Sequence, residues 1–309
     1  MKLLIIRPGA LGDTLMLLPS VIHLGSHAQI SFLGRHPGIS FLSAWTHKCI
    51  DLDGSVGQLL FSQETGERPP NLPDSDVVLV FMKDHDGSVE RNLRRWFRRA
   101  SIHFYPSLPG EGEDCHVALY VARCFHMSSL PISPREAVSD VDTHPPFRSV
   151  HHGNRPPVIV FHPGSGSERK NHPPGFWLNL IERFQESVSG SEVNFVILLG
   201  PAEEALISLF SERFKAKSVK VCMSTESNTL ISLLQEASLY IGHDSGVTHL
   251  AAMHGIATIA LFKDSSLEQW RPLGPRVRVV FGREAHAGLI DETLCAARQS
   301  KSLSLKPSS

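Results

Sequence analysis

Apolar and polar positions along the chain fall into a repeated order of short strand, turn and helix. Residues 3–6 are an apolar run that predicts a buried strand, and Pro8, Gly9, Ala10, Leu11 and Gly12 form a turn after it. Asp13 then opens a helical pattern with Leu15, Leu18, Val21 and Ile22 on one side. This order is the first unit of a doubly wound α/β domain, in which ligands sit outside the carboxyl ends of the strands. Further strands are expected at 30–33, 49–52, 77–81 and 102–105, with helical patterns between them and a helix over 116–125. Residues 63–74 are polar and rich in Pro and Gly, and read as a candidate substrate loop.

The stretch 131–157 holds Pro131, Pro134, Pro145, Pro146, Gly153, Pro156 and Pro157 without apolar periodicity. It is the expected linker, with the boundary near residue 150: a first domain over 1–150 and a second over 151–309. After it the same order restarts. A strand over 158–161 leads into a Gly- and Ser-rich turn, His162 to Lys170, and then a helix over 173–188 with Trp177, Leu180, Ile181 and Phe184 inward. A strand over 194–199 ends at Gly200 and Pro201, and Glu203 and Glu204 open the next helix. A strand over 219–222 and a helix about 230–235 follow. Residues 239–241 then form a strand that turns through Gly242, His243, Asp244, Ser245 and Gly246 into a helix, with Gly255 at its C-terminal cap. A strand over 257–262, a loop over 267–275 and a late helix over 291–299 complete the pattern, and the terminal KSLSLKPSS reads as frayed.

Composition narrows the classes. At 309 residues, 41% hydrophobic and 20% charged, the chain has the makeup of a globular protein of two domains. A net charge of -1 gives no global basic field for nucleic acid. Cys49, Cys115, Cys124, Cys222 and Cys295 show neither paired spacing nor C-x-x-C, which suggests reduced thiols in a cytoplasmic protein. Arg7, Pro8 and Asp13 interrupt the N-terminal apolar run too early for a signal peptide, and no stretch has the length and apolarity of a membrane span. The G-x-G-x-x-G dinucleotide fingerprint is absent.

Several stretches could carry chemistry. Asp13 could cap its helix or act as a general base at the mouth of the domain. The turn with Ser165, Gly166, Ser167 and Lys170 could offer backbone N–H groups, hydroxyls and one cation to a phosphate. It is not a Walker A loop, because Lys170 does not follow a glycine. Asp244 or Ser245 could cap the helix after the 239–241 strand, whose N-terminus is an anion site. Glu203 and Glu204 suit the positive end of a helix dipole. Arg91, Arg94, Arg95, Arg98 and Arg99 recur at helical spacing beside Trp96 and Phe97, giving either a solvated face or a dock for an anionic acceptor or membrane surface. Pairs spaced D-x-D occur at Asp51 and Asp53, Asp74 and Asp76, Asp84 and Asp86, and Asp140 and Asp142, and read as solvated loop carboxylates. His151 and His152 read as linker surface, and no metal site is expected.

Four stretches together, IIRPGALGDTLMLLP, HPGSGSERKNHP, LLGPAEE and IGHDSGVTHLAAMHG, resemble glycosyltransferase family 9, the ADP-heptose:lipopolysaccharide heptosyltransferases. The resemblance runs from Met1 to about Gly274. It implies an α/β fold of the GT-B type, two Rossmann-like doubly wound domains facing across a cleft, with the late helix packing back on the first domain. It implies transfer of a sugar from a nucleotide diphosphate donor with inversion and without a bound metal. The donor, ADP-linked, would be a substrate and not a cofactor. By position, Asp13 is then the base; Ser165, Gly166, Ser167 and Lys170 are diphosphate ligands; Glu203 or Glu204 meets the nucleoside. Asp244, Ser245, Gly246 and His249 form the donor-side turn. The acceptor would be a lipid-linked or anionic glycan, docked by Arg91, Arg94, Arg95 and Arg98, with peripheral contact at the cytoplasmic face of the inner membrane. The chain departs from the family pattern at Lys263 to Ser266 and at Asn171-His172.

Lysine and a helix N-terminus can stabilise a leaving diphosphate, and a single displacement needs one base. The alternatives from other classes are a GT-B-type nucleotide-sugar epimerase, which would need further carboxylates and no acceptor site, and a non-catalytic nucleotide-sugar-binding protein.

Overall fold

The computed structural model describes residues 1–64, 66–147, 155–188, 190–215, 219–223 and 226–300. His151, His152 and the terminal KSLSLKPSS lie outside the described residues. The chain divides into two compact units, Met1–Asp140 and Val141–Ser309.

In the first unit the strands are β1 (Lys2–Ile6), β2 (Gln29–Gly34), β3 (Lys48–Asp51), β4 (Val77–Phe81) and β5 (Ser101–Tyr105). All pair in parallel, in the order β3-β2-β1-β4-β5. Leu3, Leu4, Ile5 and Ile6 are fully buried, because crossover helices cover both faces of a parallel sheet. In the second unit the strands are β6 (Val158–His162), β7 (Asn194–Leu199), β8 (Val219–Met223), β9 (Leu239–His243), β10 (Ala257–Phe262) and β11 (Val277–Phe281). They are also parallel, in the order β11-β10-β9-β6-β7-β8. The fold is therefore the expected α/β class, built as two doubly wound sheets. The strand order reverses between β1 and β4 in one unit and between β6 and β9 in the other, and ligands bind at the carboxyl ends of such neighbouring strands.

Three local expectations change. The proline-rich stretch carries a helix, Pro134–Thr143, with Ala137 and Val141 buried, and the division between units falls inside it. Pro134 is its first residue, where a missing N–H costs nothing. No expectation covered β11, an edge strand in which Arg278 interrupts the valines. The late helix starts earlier, at Ala287, and lays Leu289, Ile290, Leu294 and Ala297 into the core of its own unit. That core is completed by Trp177, Leu180, Ile181 and Phe184 of the helix Pro174–Ser187, the inward positions the periodicity indicated.

Candidate active site

The second unit places the Gly- and Ser-rich loop at the carboxyl end of β6, next to the turn that leaves β9. The loop is braced from within. The Ser165 hydroxyl lies 2.6 Å from Asn171 Oδ1 and 2.9 Å from the Ser167 carbonyl oxygen. Gly166 has φ +70°, a left-handed conformation that favours glycine, with open space where a side chain would stand. Ser167 precedes a single turn of helix, Glu168–Lys170.

The β9 turn holds the same loop from outside. Lys170 Nζ donates to Asp244 Oδ2 at 2.7 Å and stands over the Trp270 ring at 5.9 Å. Lys263 Nζ donates to the Asn171 carbonyl at 3.2 Å. Buried His243 accepts the His172 N–H at Nε2 (2.9 Å), and its Nδ1 meets the Pro163 carbonyl at 2.8 Å. Burial, reinforced by His172 and His162, pushes the His243 pKa down to about 3, so the ring is neutral.

Asp244 is not the helix cap. Ser245 is: its Oγ accepts the Thr248 N–H at 3.2 Å at the start of the helix Gly246–Met253. Asp244 is buried between Lys170 and His249, whose Nε2 lies 3.6 Å from Asp244 Oδ1. Burial opposes its charge, but the nearby His249 ring and the hydrogen bond from Lys170 prevail and hold its pKa at about 2. The helix ends as its glycine indicated, with Gly255 at φ +73° just past the C-cap.

Beside the loop lies a cavity of about 430 Å³ whose lining includes Gly166, Ser167, Asn171, Trp177, Glu203 and Leu206. Glu203 is buried and accepts the Gly200 N–H at 2.9 Å, as an acidic residue in a helix first turn does. A Cβ on Gly164 would fall within its carboxyl group. Glu204 is exposed and is not among the cavity's lining residues.

In the first unit Asp13 is the third residue of the helix Leu11–Leu15, not its cap. Its Oδ2 accepts the Ala10 N–H at 3.0 Å, and a Cβ on Gly9 would collide with its side chain. Its Oδ1 lies 3.7 Å from Arg7 Nη2. Arg7 is fully buried, donates to the Ser107 carbonyl at 2.9 Å and lies over the Phe81 ring at 5.3 Å, while its Nε and Nη1 make no hydrogen bond among the described residues. Burial lowers the Arg7 pKa against the pull of Asp13. The carboxylate thus has a fixed cation behind it and stays 27% exposed.

The arginine-rich helix is shorter than expected, Ser88–Trp96, so Arg98 and Arg99 stand in the turn after it. Trp96 and Phe97 are core residues, while Arg91, Arg94, Arg95 and Arg98 are exposed. Arg94 pairs with Glu90 at 2.7 Å, a helical i,i+4 pair. Most of the D-x-D carboxylates have local work: Asp53 pairs with Arg35, Asp74 with Arg68, Asp84 accepts the Glu90 N–H and Asp142 pairs with Arg271. Among the described residues no three His, Cys, Asp or Glu side chains form a group that could hold a metal ion.

The structure thus joins Ser165, Gly166, Ser167, Lys170, Asp244, Ser245, Gly246 and His249 in one site, with Glu203 at the neighbouring cavity. Sequence reasoning missed His243, Lys263 and Arg7. Lys263 and the Asn171-His172 pair did leave a signal, as departures from the family pattern. Arg7 showed only as a break in an apolar run.

Residues 113–294 match the sequence model of glycosyltransferase family 9 (heptosyltransferase). The protein is a glycosyltransferase, and the chain belongs to family 9. Among solved structures, the E. coli heptosyltransferase WaaC with ADP is similar at TM-score 0.69 and 15% identity, over 97% of this chain and 100% of that one. The E. coli ADP-heptose lps heptosyltransferase II gives 0.67 and 18%, over 97% of each chain. A glycosyl transferase family 9 structure from Veillonella parvula DSM 2008 gives 0.67 and 13%, over 97% and 96%. At these identities the likeness is one of fold, and that fold is the GT-B type. A search of curated proteins found no match.

Proposed function

We propose that this glycosyltransferase moves heptose from ADP-heptose to a lipopolysaccharide-core-type acceptor with inversion, and that Asp13 is the base. The observation that carries the donor half is the β6 loop tied to the β9 turn, with Lys170 beside the N-terminus of Gly246–Met253. Both lie at the strand ends where doubly wound sheets take ligands. In the proposed step, an acceptor hydroxyl oxygen attacks the anomeric carbon and its proton passes to Asp13. The bond from that carbon to the diphosphate oxygen breaks, and ADP leaves with the electron pair. Lys170 and the helix N-terminus stabilise the charge gained by the leaving diphosphate. Ser165, Gly166 and Ser167 shape the loop around it. Asp244 and His249 are assigned to the donor sugar side and Glu203, with exposed Glu204 next to it, to the nucleoside side. This reading involves no metal and no cofactor.

Support from the neighbours is that one holds ADP and another ADP-2-deoxy-2-fluoro heptose. Arg91, Arg94, Arg95 and Arg98 are assigned to an anionic, lipid-linked acceptor at the cytoplasmic membrane face. Among the described residues no helix is long and apolar enough to cross a membrane. The test is a panel of ADP-, UDP-, GDP- and dTDP-sugars assayed for transfer and hydrolysis. Turnover of ADP-heptose with an inverted product is the expected result. Interconversion of a nucleotide sugar without transfer would replace this reading with an epimerase.

A further inference from the structure

We propose that His243 is the positioning residue of the donor loop, closing residues 163–172 into a fixed ring by bonding both ends of the loop with one imidazole. The proposal rests on the donor reading above for its functional consequence, though not for the clamp itself.

The geometry fixes the tautomer. The His172 backbone N–H can only donate, so Nε2 must present its lone pair at 2.9 Å. The Pro163 carbonyl can only accept, so the proton must sit on Nδ1, 2.8 Å away. Flipping the ring would put carbon at both positions, and a doubly protonated ring would set an N–H against an N–H. One neutral side chain therefore spans the two points where the loop leaves and rejoins the body of the unit.

The ring is itself held. Trp177 stands edge-on to it with centroids 5.0 Å apart, and His172 lies against it at 5.4 Å. Its backbone is the last residue of β9, and its carbonyl accepts the Thr248 hydroxyl. The next residue, Asp244, takes Lys170. Two consecutive residues of β9 and its turn thus hold the base of the loop and its cation. Neighbouring His172 has no such role, since among the described residues neither of its ring nitrogens has a hydrogen-bond partner. A loop anchored at both ends presents its N–H groups and Lys170 in one arrangement, so a diphosphate does not have to order them.

The test uses three substitutions in the full chain. His243→Phe keeps a ring against Trp177 and removes both hydrogen bonds. His243→Gln places an amide near the Nε2 position and so retains the His172 bond, while His243→Asn does the same near Nδ1 for the Pro163 bond. The readouts are ADP affinity by calorimetry, hydrogen–deuterium exchange of peptides over 163–172 without ligand, and the melting temperature. Expected for Phe is ADP affinity weaker by about tenfold or more and faster exchange, with Gln and Asn in between. Parent-like ADP affinity in the Phe variant, or unchanged exchange, overturns the proposal. If the Phe variant does not fold, parent-like affinity in both Gln and Asn overturns it instead. If the parent binds no ADP, the donor reading fails, while the exchange comparison still decides whether His243 clamps the loop.

Discussion

Replacing Asp13 with Asn separates three roles that the structure gives one carboxylate. The first is local: Asn can still accept the Ala10 N–H through its amide oxygen, so the helix start is retained. The second is electrostatic. Oδ1 lies 3.7 Å from the buried Arg7 guanidinium, which at an effective dielectric of roughly 20 corresponds to about 4–5 kcal/mol of attraction. Water reaches Asp13, which is 27% exposed, so the loss on neutralising it should be about 1–3 kcal/mol. The melting temperature should fall by several degrees, at about 2–4 °C per kcal/mol for a unit of this size. The third role is chemical. With no carboxylate to take the acceptor proton, transfer should slow by roughly 10²-fold or more, and ADP affinity should stay near the parent value. The assay is single-turnover transfer at a temperature well below both melting points, beside a thermal melt. A variant that melts lower but transfers at the parent rate refutes the base assignment and leaves Asp13 as the counterion of Arg7. A variant with the parent melting temperature refutes the electrostatic part.

Lys170→Ala should weaken ADP binding by roughly 10–100-fold, the value of about 1.5–3 kcal/mol for a charge-assisted contact; lower melting with unchanged calorimetric affinity would make Lys170 only the partner of Asp244. Asp244→Asn should instead leave ADP binding intact or tighter, because it frees the lysine, while slowing transfer; ADP binding lost with Asp244 would reverse the assignment of the two groups. Gly164→Ala should destabilise the second unit and weaken nucleotide binding, since the new methyl must displace the Glu203 carboxyl from the cavity wall; a parent-like melt and affinity would show that Glu203 moves freely. Burial holds His243 at about 3 and His172 at about 4, below the ordinary histidine value, so the unfolded chain takes up their protons first. Their contribution to stability is therefore complete above pH about 6.5 and declines as the pH falls from there, by up to about 1.4 kcal/mol per pH unit for each histidine. Urea melts between pH 7 and 5 check this, and a pH-independent stability would contradict it.

The fold was legible because parallel strands buried on both faces are written as short apolar runs, as at residues 3–6 and 257–262. The edge strand β11 was not, since the charged Arg278 splits its short apolar stretch after Val277. The helix Pro134–Thr143 was hidden because the prolines of the 131–157 stretch read as breakers, although Pro134 itself starts the helix. In the site, the residue types that bear charge or hydroxyls beside glycine were visible: Ser165, Lys170, Asp244 and Ser245. What periodicity and motif could not supply was the partnering. That Asp244 holds Lys170 while Ser245 caps, or that His243 bonds both ends of a loop some 70–80 residues earlier in the chain, depends on β9 lying beside β6. Arg7 likewise looks like an interruption in sequence and becomes the buried cation behind Asp13 only when β1 is placed in the sheet.

The most direct measurement is the release of ADP from ADP-heptose by the unmodified protein, with and without a lipopolysaccharide-core acceptor, together with the anomeric configuration of the product. The account predicts ADP release that depends on the acceptor and a heptose linked with inversion. ADP-heptose left intact while another nucleotide sugar is consumed, or a product of retained configuration, would contradict it.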